Sequence, residues 1–131
     1  MFVYKPWLDA AGLEIPQTTE EFKNMLIYFR DNEMNGNGDL TDEIPLVGSF
    51  SAWGGDPIAY LMNPFQLYPN DEYIYVDESG ELVFAAITEG WREGLRYIHS
   101  LYEEGLLAKE TYVQDATQLK SLVNKANPKE F

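Results

Sequence analysis

Two glycines and two asparagines in four consecutive residues, Asn35-Gly36-Asn37-Gly38, terminate any helix or strand that reaches them. They place a loop between two differently patterned stretches. Upstream, Thr18 followed by Glu21 has the spacing of a capping box, so a helix starts there. Phe22, Met25, Leu26 and Phe29 recur at three- and four-residue steps and give that helix one buried face. It is predicted to end near residues 30–32. Earlier still, Pro6 opens a short helix with Trp7, Leu8 and Ala11 on one side and Gly12 as its stop. Residues 1–4 are apolar enough for a short strand.

Downstream, Ile44-Pro45-Leu46-Val47 reads as a short strand, with donorless Pro45 suited to an end or an edge. Residues 49–57 form a Gly-rich loop holding Trp53. Asp56 before Pro57 then predicts an N-cap and a short helix over residues 58–62. Residues 73–76 and 81–85 are rich in branched and aromatic side chains, and Asp77-Glu78-Ser79-Gly80 lies between them, so they read as a β-hairpin. Thr88 begins the longest helix, with a stripe of Trp91, Leu95, Ile98, Leu101 and Tyr102, and Gly105 caps its end. A last helix is expected over residues 116–124, using Leu119, Leu122 and Val123. The expectation is a helix-rich α/β mixture with short strands. The 131 residues are the size of one domain, and the abrupt ends suggest an internal segment of a longer protein.

Residues 33–43 are the stretch with the clearest chemistry. Calcium takes six to eight oxygen ligands, and closely spaced oxygen-bearing side chains on a tight loop supply them. Glu33, Asn35 and Asn37 alternate on one side of the loop. Gly38 falls where an EF-hand-type loop turns sharply, Asp39 would offer its backbone carbonyl, and Leu40 would be the apolar anchor. The twelfth position would be Ile44, which cannot ligate, so Asp42 and Glu43 would have to close the site. A second register runs from Asp31 to Asp42 with Gly36 at the turn. The first fits the Asn-Gly-Asn-Gly pattern better and gives Leu40 a role. A solvated acidic turn has the same composition. A bound ion here would be structural, holding two elements in place.

Composition narrows the partners. Acidic residues number 22 against 9 basic, a net charge of −13, which disfavours nucleic-acid phosphates and anionic lipid surfaces. Cations, neutral sugars and basic peptides remain compatible. With no cysteine there is no disulfide, thiolate site or thiol nucleophile, and the single His99 leaves little room for a zinc site or a Ser-His-Asp triad. No run approaches a membrane span, and no signal peptide is present in the chain.

Three runs, in order, resemble the bacterial family 1 extracellular solute-binding proteins. These are Tyr4-Lys5-Pro6-Trp7-Leu8-Asp9-Ala10-Ala11-Gly12-Leu13 continuing through Ile15-Pro16-Gln17-Thr18 to Phe22; the loop 33–38 with Asp42-Glu43-Ile44-Pro45-Leu46; and Gly94-Leu95-Arg96-Tyr97 through Leu107. The resemblance spans about residues 4–118. It implies a helix-rich part of one lobe of a periplasmic-binding-protein type II fold. It implies the substrate-binding component of an ABC importer, which captures a sugar or oligosaccharide and hands it to a membrane permease. The location implied is extracellular, lipid-anchored at the cell surface, or periplasmic, with the export signal outside this chain. It also implies calcium in the Asn-Gly-Asn-Gly loop, held by Glu33, Asn35, Asn37, Asp39, Asp42 and Glu43. This chain departs from the family pattern at Glu33, where the family has Asp, at Thr41, which looks inserted, and at Pro6 before Trp7.

Sugar sites use flat aromatics against pyranose faces. Trp53 is the candidate, in a Gly-rich loop beside Ser49, Ser51 and Asp56. Trp7 and Trp91 lie on apolar helical faces and are expected in the core. Tyr60, Tyr68 and Tyr73 are not ranked, and His99 is expected at the surface or partly packed. The adjacent acids Asp42-Glu43 and Glu103-Glu104 do not give the separated carboxyl pair of a glycoside hydrolase, so no enzyme is expected. The alternative reading is a calcium-dependent extracellular interaction module without a transport role.

Overall fold

The computed structural model describes residues 3–52, 54–67 and 73–124. They form five helices and one two-stranded sheet, a helix-rich α/β arrangement. The chain divides into two compact units. One takes the described residues up to Pro57 and those from Leu101 onward; the other is Ile58–Ser100.

In the first unit, α1 covers Lys5–Ala11, with Pro6 in its first turn and Gly12 in the left-handed conformation at its end. Leu13 N–H reaches back to the Leu8 carbonyl and closes that cap. Tyr4 caps α1 rather than ending a strand, and Met1 and Phe2 lie outside the described residues. The α2 helix is Thr19–Asp31. Thr18 Oγ1 accepts from Glu21 N–H, and Glu21 accepts in return from the Gln17 N–H, one residue before the expected partner. All four expected positions on its face, Phe22, Met25, Leu26 and Phe29, are buried. Trp7 and Leu8 are buried with them, and the Trp7 ring meets Phe29 edge-on at 5.4 Å. Arg30 Nη1 donates to the Glu104 carbonyl, and Lys23 pairs with the Glu104 carboxylate at 2.6 Å.

The expected strand at residues 44–47 is a single parallel bridge, Leu46 to Leu107. Pro45 has no N–H to extend it. After a 3-10 turn at Lys109–Tyr112, α5 runs over Ala116–Val123, started by a full capping box between Asp115 and Gln118. Its expected apolar stripe is only half used: Leu119 and Leu122 are partly covered, and Val123 is exposed. Asn127 to Phe131 lie outside the described residues.

In the second unit, α3 starts at Pro57 and covers Pro57–Leu61. The strands β1, Ile74–Val76, and β2, Leu82–Phe84, pair antiparallel with Tyr75 opposite Val83. Asp77 Oδ1 accepts from the Ser79 N–H, the Ser79 hydroxyl and the Glu81 N–H, which fixes the turn between them. The long helix α4 covers Glu89–Glu103, with Thr88 Oγ1 accepting from the Trp91 N–H. Its buried line differs from the expected stripe. Ile98 and Leu101 are buried, but Leu95 is 42% exposed. Gly94 takes the inner position instead, because a side chain there would strike Met62. Gly90 likewise faces the Phe65 carbonyl. Trp91 is only half-buried and meets Tyr73 edge-on at 5.3 Å. The helix stops at Gly105, whose φ of 70° suits glycine, and Leu106 folds back onto the Leu101 carbonyl.

Candidate functional site

Residues 33–43 follow α2 directly, since Asn32 leaves the helical conformation as its C-cap. Gly36 and Gly38 both sit at positive φ, 78° and 87°, a conformation that only glycine adopts freely. These two turns let side-chain oxygens fold inward against the loop's own backbone. Glu33 Oε1 accepts from the N–H groups of Asn37 at 2.7 Å and Gly38 at 3.3 Å. Asn35 Oδ1 accepts from Asn37 N–H at 3.0 Å, and Asn37 Oδ1 from Asp39 N–H at 2.6 Å. These bonds step through residues 33, 35 and 37, but Leu40, the expected apolar anchor of the register that begins at Glu33, is 60% exposed and anchors nothing. Glu33 Oε1 is filled by its two N–H donors, whereas Asn37 Oδ1, with one donor, keeps a further lone pair for a ligand.

The closing residues are tied in from the other side. Asp42 accepts both amide groups, Asn35 Nδ2 on Oδ1 at 3.2 Å and Asn37 Nδ2 on Oδ2 at 2.6 Å. Glu43 Oε1 accepts from the Met34 N–H at 2.9 Å. Its other oxygen, Oε2, is buried without a partner, in a residue only 9% exposed. An unpaired buried carboxylate oxygen is costly and asks for a cation or a donor.

Asp39 behaves differently. Its carboxylate turns onto Thr41, accepting from the hydroxyl at 2.6 Å and the N–H at 2.9 Å. The Thr41 hydroxyl, and then its N–H, hold the Asp39 carboxyl below the usual carboxylate range. That leaves Asp39 its backbone carbonyl for any ion, the role the sequence assigns it. Thr41 is the residue that sequence reading undervalued. Its N–H and hydroxyl close a local turn with the Asp39 carboxylate.

Of the six residues expected to hold an ion, Asn35, Asn37 and Asp42 are joined directly. Glu33 and Glu43 are bonded to the loop backbone, and the Asp39 carboxylate is turned aside. Among the described residues no three His, Cys, Asp or Glu side chains converge as a ready metal cluster. Among them, too, no Lys or Arg pairs with Glu33, Asp39, Asp42 or Glu43; Arg30 is engaged with Asp31 and Glu104. The donors present are all oxygens of carboxylates, amides and carbonyls, which suits a hard cation and not zinc or copper.

Trp53, the expected sugar contact, lies outside the described residues. The loop around it is anchored. Gly48 N–H donates to the buried Thr111 hydroxyl at 3.2 Å, and Gln114 Nε2 donates to the Gly48 carbonyl at 2.6 Å. Ser49 Oγ donates to the Gln114 carbonyl at 2.8 Å, and Ser49 N–H to the Gly55 carbonyl at 2.9 Å. Thr111 and Gln114 were not singled out from the sequence, because these bonds span more than sixty residues. An open hollow beside this network is lined on one side by Ile44, Val47, Ala108 and Leu122, and on the other by polar side chains of α5 and its approach, Gln114, Thr117, Gln118 and Ser121, with Glu110 as its one acid.

Known proteins resemble the chain over most of its length. No protein-family model matches the chain. The fructooligosaccharide ABC transporter substrate-binding protein FusA of Streptococcus pneumoniae serotype 4 is 34% identical over 114 residues, covering 87% of this chain and 21% of that protein. Lipoprotein LipO of Bacillus subtilis strain 168 is 28% identical over 119 residues, covering 90% of this chain and 23% of LipO. The structure of S. pneumoniae FusA with kestose superposes with a TM-score of 0.78 at 34% identity, over 92% of this chain and 25% of FusA. An EF-hand mutant of FusA with fructo-nystose superposes with a TM-score of 0.77 at 31% identity, over 89% of this chain and 24% of that one. The chain thus spans about a fifth to a quarter of the length of the proteins it matches.

Proposed function

Because this chain is homologous over most of its length to the solute-binding proteins of ABC transporters, we propose that the protein it builds is the substrate-binding component of such an importer. It captures a sugar or oligosaccharide outside the membrane and delivers it to a permease. The observation that carries this reading is the 34% identity and 0.78 TM-score to a protein solved with kestose. The acidic balance of the chain suits a neutral ligand better than an anionic one. The role is binding without catalysis, and the chain corresponds to a segment of a longer two-lobed protein. A lipid-anchored or periplasmic location follows from the same homology, one relative being a lipoprotein. Trp53 is the aromatic we assign to stack against a pyranose face.

The loop serves as the protein's structural calcium site. Side-chain oxygens of Glu33, Asn35, Asn37, Asp42 and Glu43, with the Asp39 carbonyl, are the ligands. The buried unpartnered oxygen of Glu43 supports the fit, and so does the all-oxygen donor set. Glu33, Asp42 and Glu43 would hold such an ion between the loop's two ends, and its charge would offset theirs. The chain's own residues do the positioning: the glycine turns aim the amide oxygens inward, and the Met34 N–H orients Glu43.

The test is calorimetric titration of neutral oligosaccharides, fructo-oligosaccharides first, into the full-length protein carrying this segment. Saturable binding lost in Trp53→Ala supports the reading. A protein that binds no neutral oligosaccharide, but binds a protein partner only with calcium, would replace it by an interaction module.

A further inference from the structure

Building on the calcium reading, we propose that the loop is a clasp whose cation, by fixing Glu43, fastens residues 44–48 to residues 107–114. Glu43 is the last residue of the loop and the first of that path. Its carboxylate is held by one bond, to Met34 N–H at 2.9 Å, and its second oxygen is buried and unpartnered. A cation on that oxygen would anchor the side chain from both sides.

From Glu43 to Leu46 is three residues, at most about 10 Å of chain. Pro45 within it has a fixed φ, so slack is small. Leu46 then makes the parallel bridge to Leu107, and its carbonyl accepts the Ala108 N–H at 2.9 Å. Two residues on, Gly48 is held by Thr111 and Gln114. This joint has no regular strand on either side. A single bridge has little cooperative support of its own, so its persistence depends on what fixes its two ends. Thr111 and Gln114 fix the Gly48 end, and Glu43 fixes the other.

The experiment is amide hydrogen exchange of the 131-residue chain by NMR, in EGTA, in calcium and in magnesium, with the heat of calcium binding measured alongside. If the joint opens only when the cation leaves, exchange at Ala108 slows by about a hundredfold at a hundredfold excess of calcium over its dissociation constant. We expect slowing of about tenfold or more at Ala108, with calcium only, abolished in Asn37→Ala and in Asp42→Asn. Slowing at Asn37 and Asp39 with Ala108 unchanged would overturn the clasp and leave the calcium site standing. No heat of binding and no slowing anywhere would remove the calcium reading and the clasp together.

Discussion

Replacing Glu43 by Gln separates a metal ligand from a merely structural residue, because the two roles give different signs in two conditions. The side chain keeps its shape, and the Gln carbonyl can still accept the Met34 N–H. What is lost is the charge on the buried, unpartnered oxygen. In EGTA that charge has no compensation, so Glu43→Gln holds stability level or raises it by up to about 1 kcal/mol. In calcium at a hundredfold excess over the dissociation constant, the parent chain gains about 2.7 kcal/mol. With 131 residues and about 2.1 cal/mol/K of unfolding entropy per residue, that gain moves the midpoint up by about 10 °C. Loss of a carboxylate ligand weakens binding by about tenfold or more, which leaves at most about 1.4 kcal/mol, or about 5 °C. Thermal melts followed by tryptophan fluorescence, in EGTA, calcium and magnesium, read all four values. A variant that melts lower by the same amount with and without calcium would refute the argument, because Glu43 would then be a packing residue alone.

Thr111→Val leaves the buried Gly48 N–H without its acceptor at nearly constant volume, and should cost about 1–3 kcal/mol in urea melts while Thr111→Ser costs less. A larger loss in Thr111→Ser than in Thr111→Val would show that the methyl group, not the hydroxyl, matters. Gly94→Ala puts a methyl group into Met62 and should cost about 1–3 kcal/mol, whereas Gly80→Ala meets open space and answers only for backbone strain at its positive φ. Burial pushes the Tyr97 phenol up to about 12. Its neutral form is therefore the one the fold favours, so this contribution is complete below about pH 10 and is lost as pH rises through about 12. Melts across that range should fall for the parent and flatten for Tyr97→Phe; identical profiles would assign the alkaline loss to other groups.

Elements set by local chemistry were legible. The capping signal at Thr18, the spacing of Phe22, Met25, Leu26 and Phe29, and the turn at Asp77 each involve residues a few positions apart, and all three appear in the fold. What depends on distant partners was not. Leu95 sits at helical spacing from Trp91 and Ile98, yet it is exposed, because Gly90 and Gly94 let residues 62–65 approach the helix instead. A periodicity argument counts apolar side chains and gives glycine no weight, so it misses a face made by the absence of side chains. The strand expected at residues 44–47 shrank to one bridge for a related reason: β-propensity is realised only where a partner strand exists.

The loop combines both cases. In its first half each bond spans two to five residues, within the reach of local glycine and asparagine spacing. The second half could not be settled by counting. In a twelve-position register the closing residue is Ile44, and only the fold shows how the count is altered. Asp39 and Thr41 bond to each other and form a local turn. Beyond it, Asp42 meets the amides of Asn35 and Asn37, and Glu43 meets the Met34 N–H. If that turn is what absorbs the added residue, Thr41→Ala should weaken calcium binding although Thr41 supplies no ligand, and deleting Thr41 should restore or improve it. A deletion that abolishes binding would show instead that Thr41 holds the loop's native length.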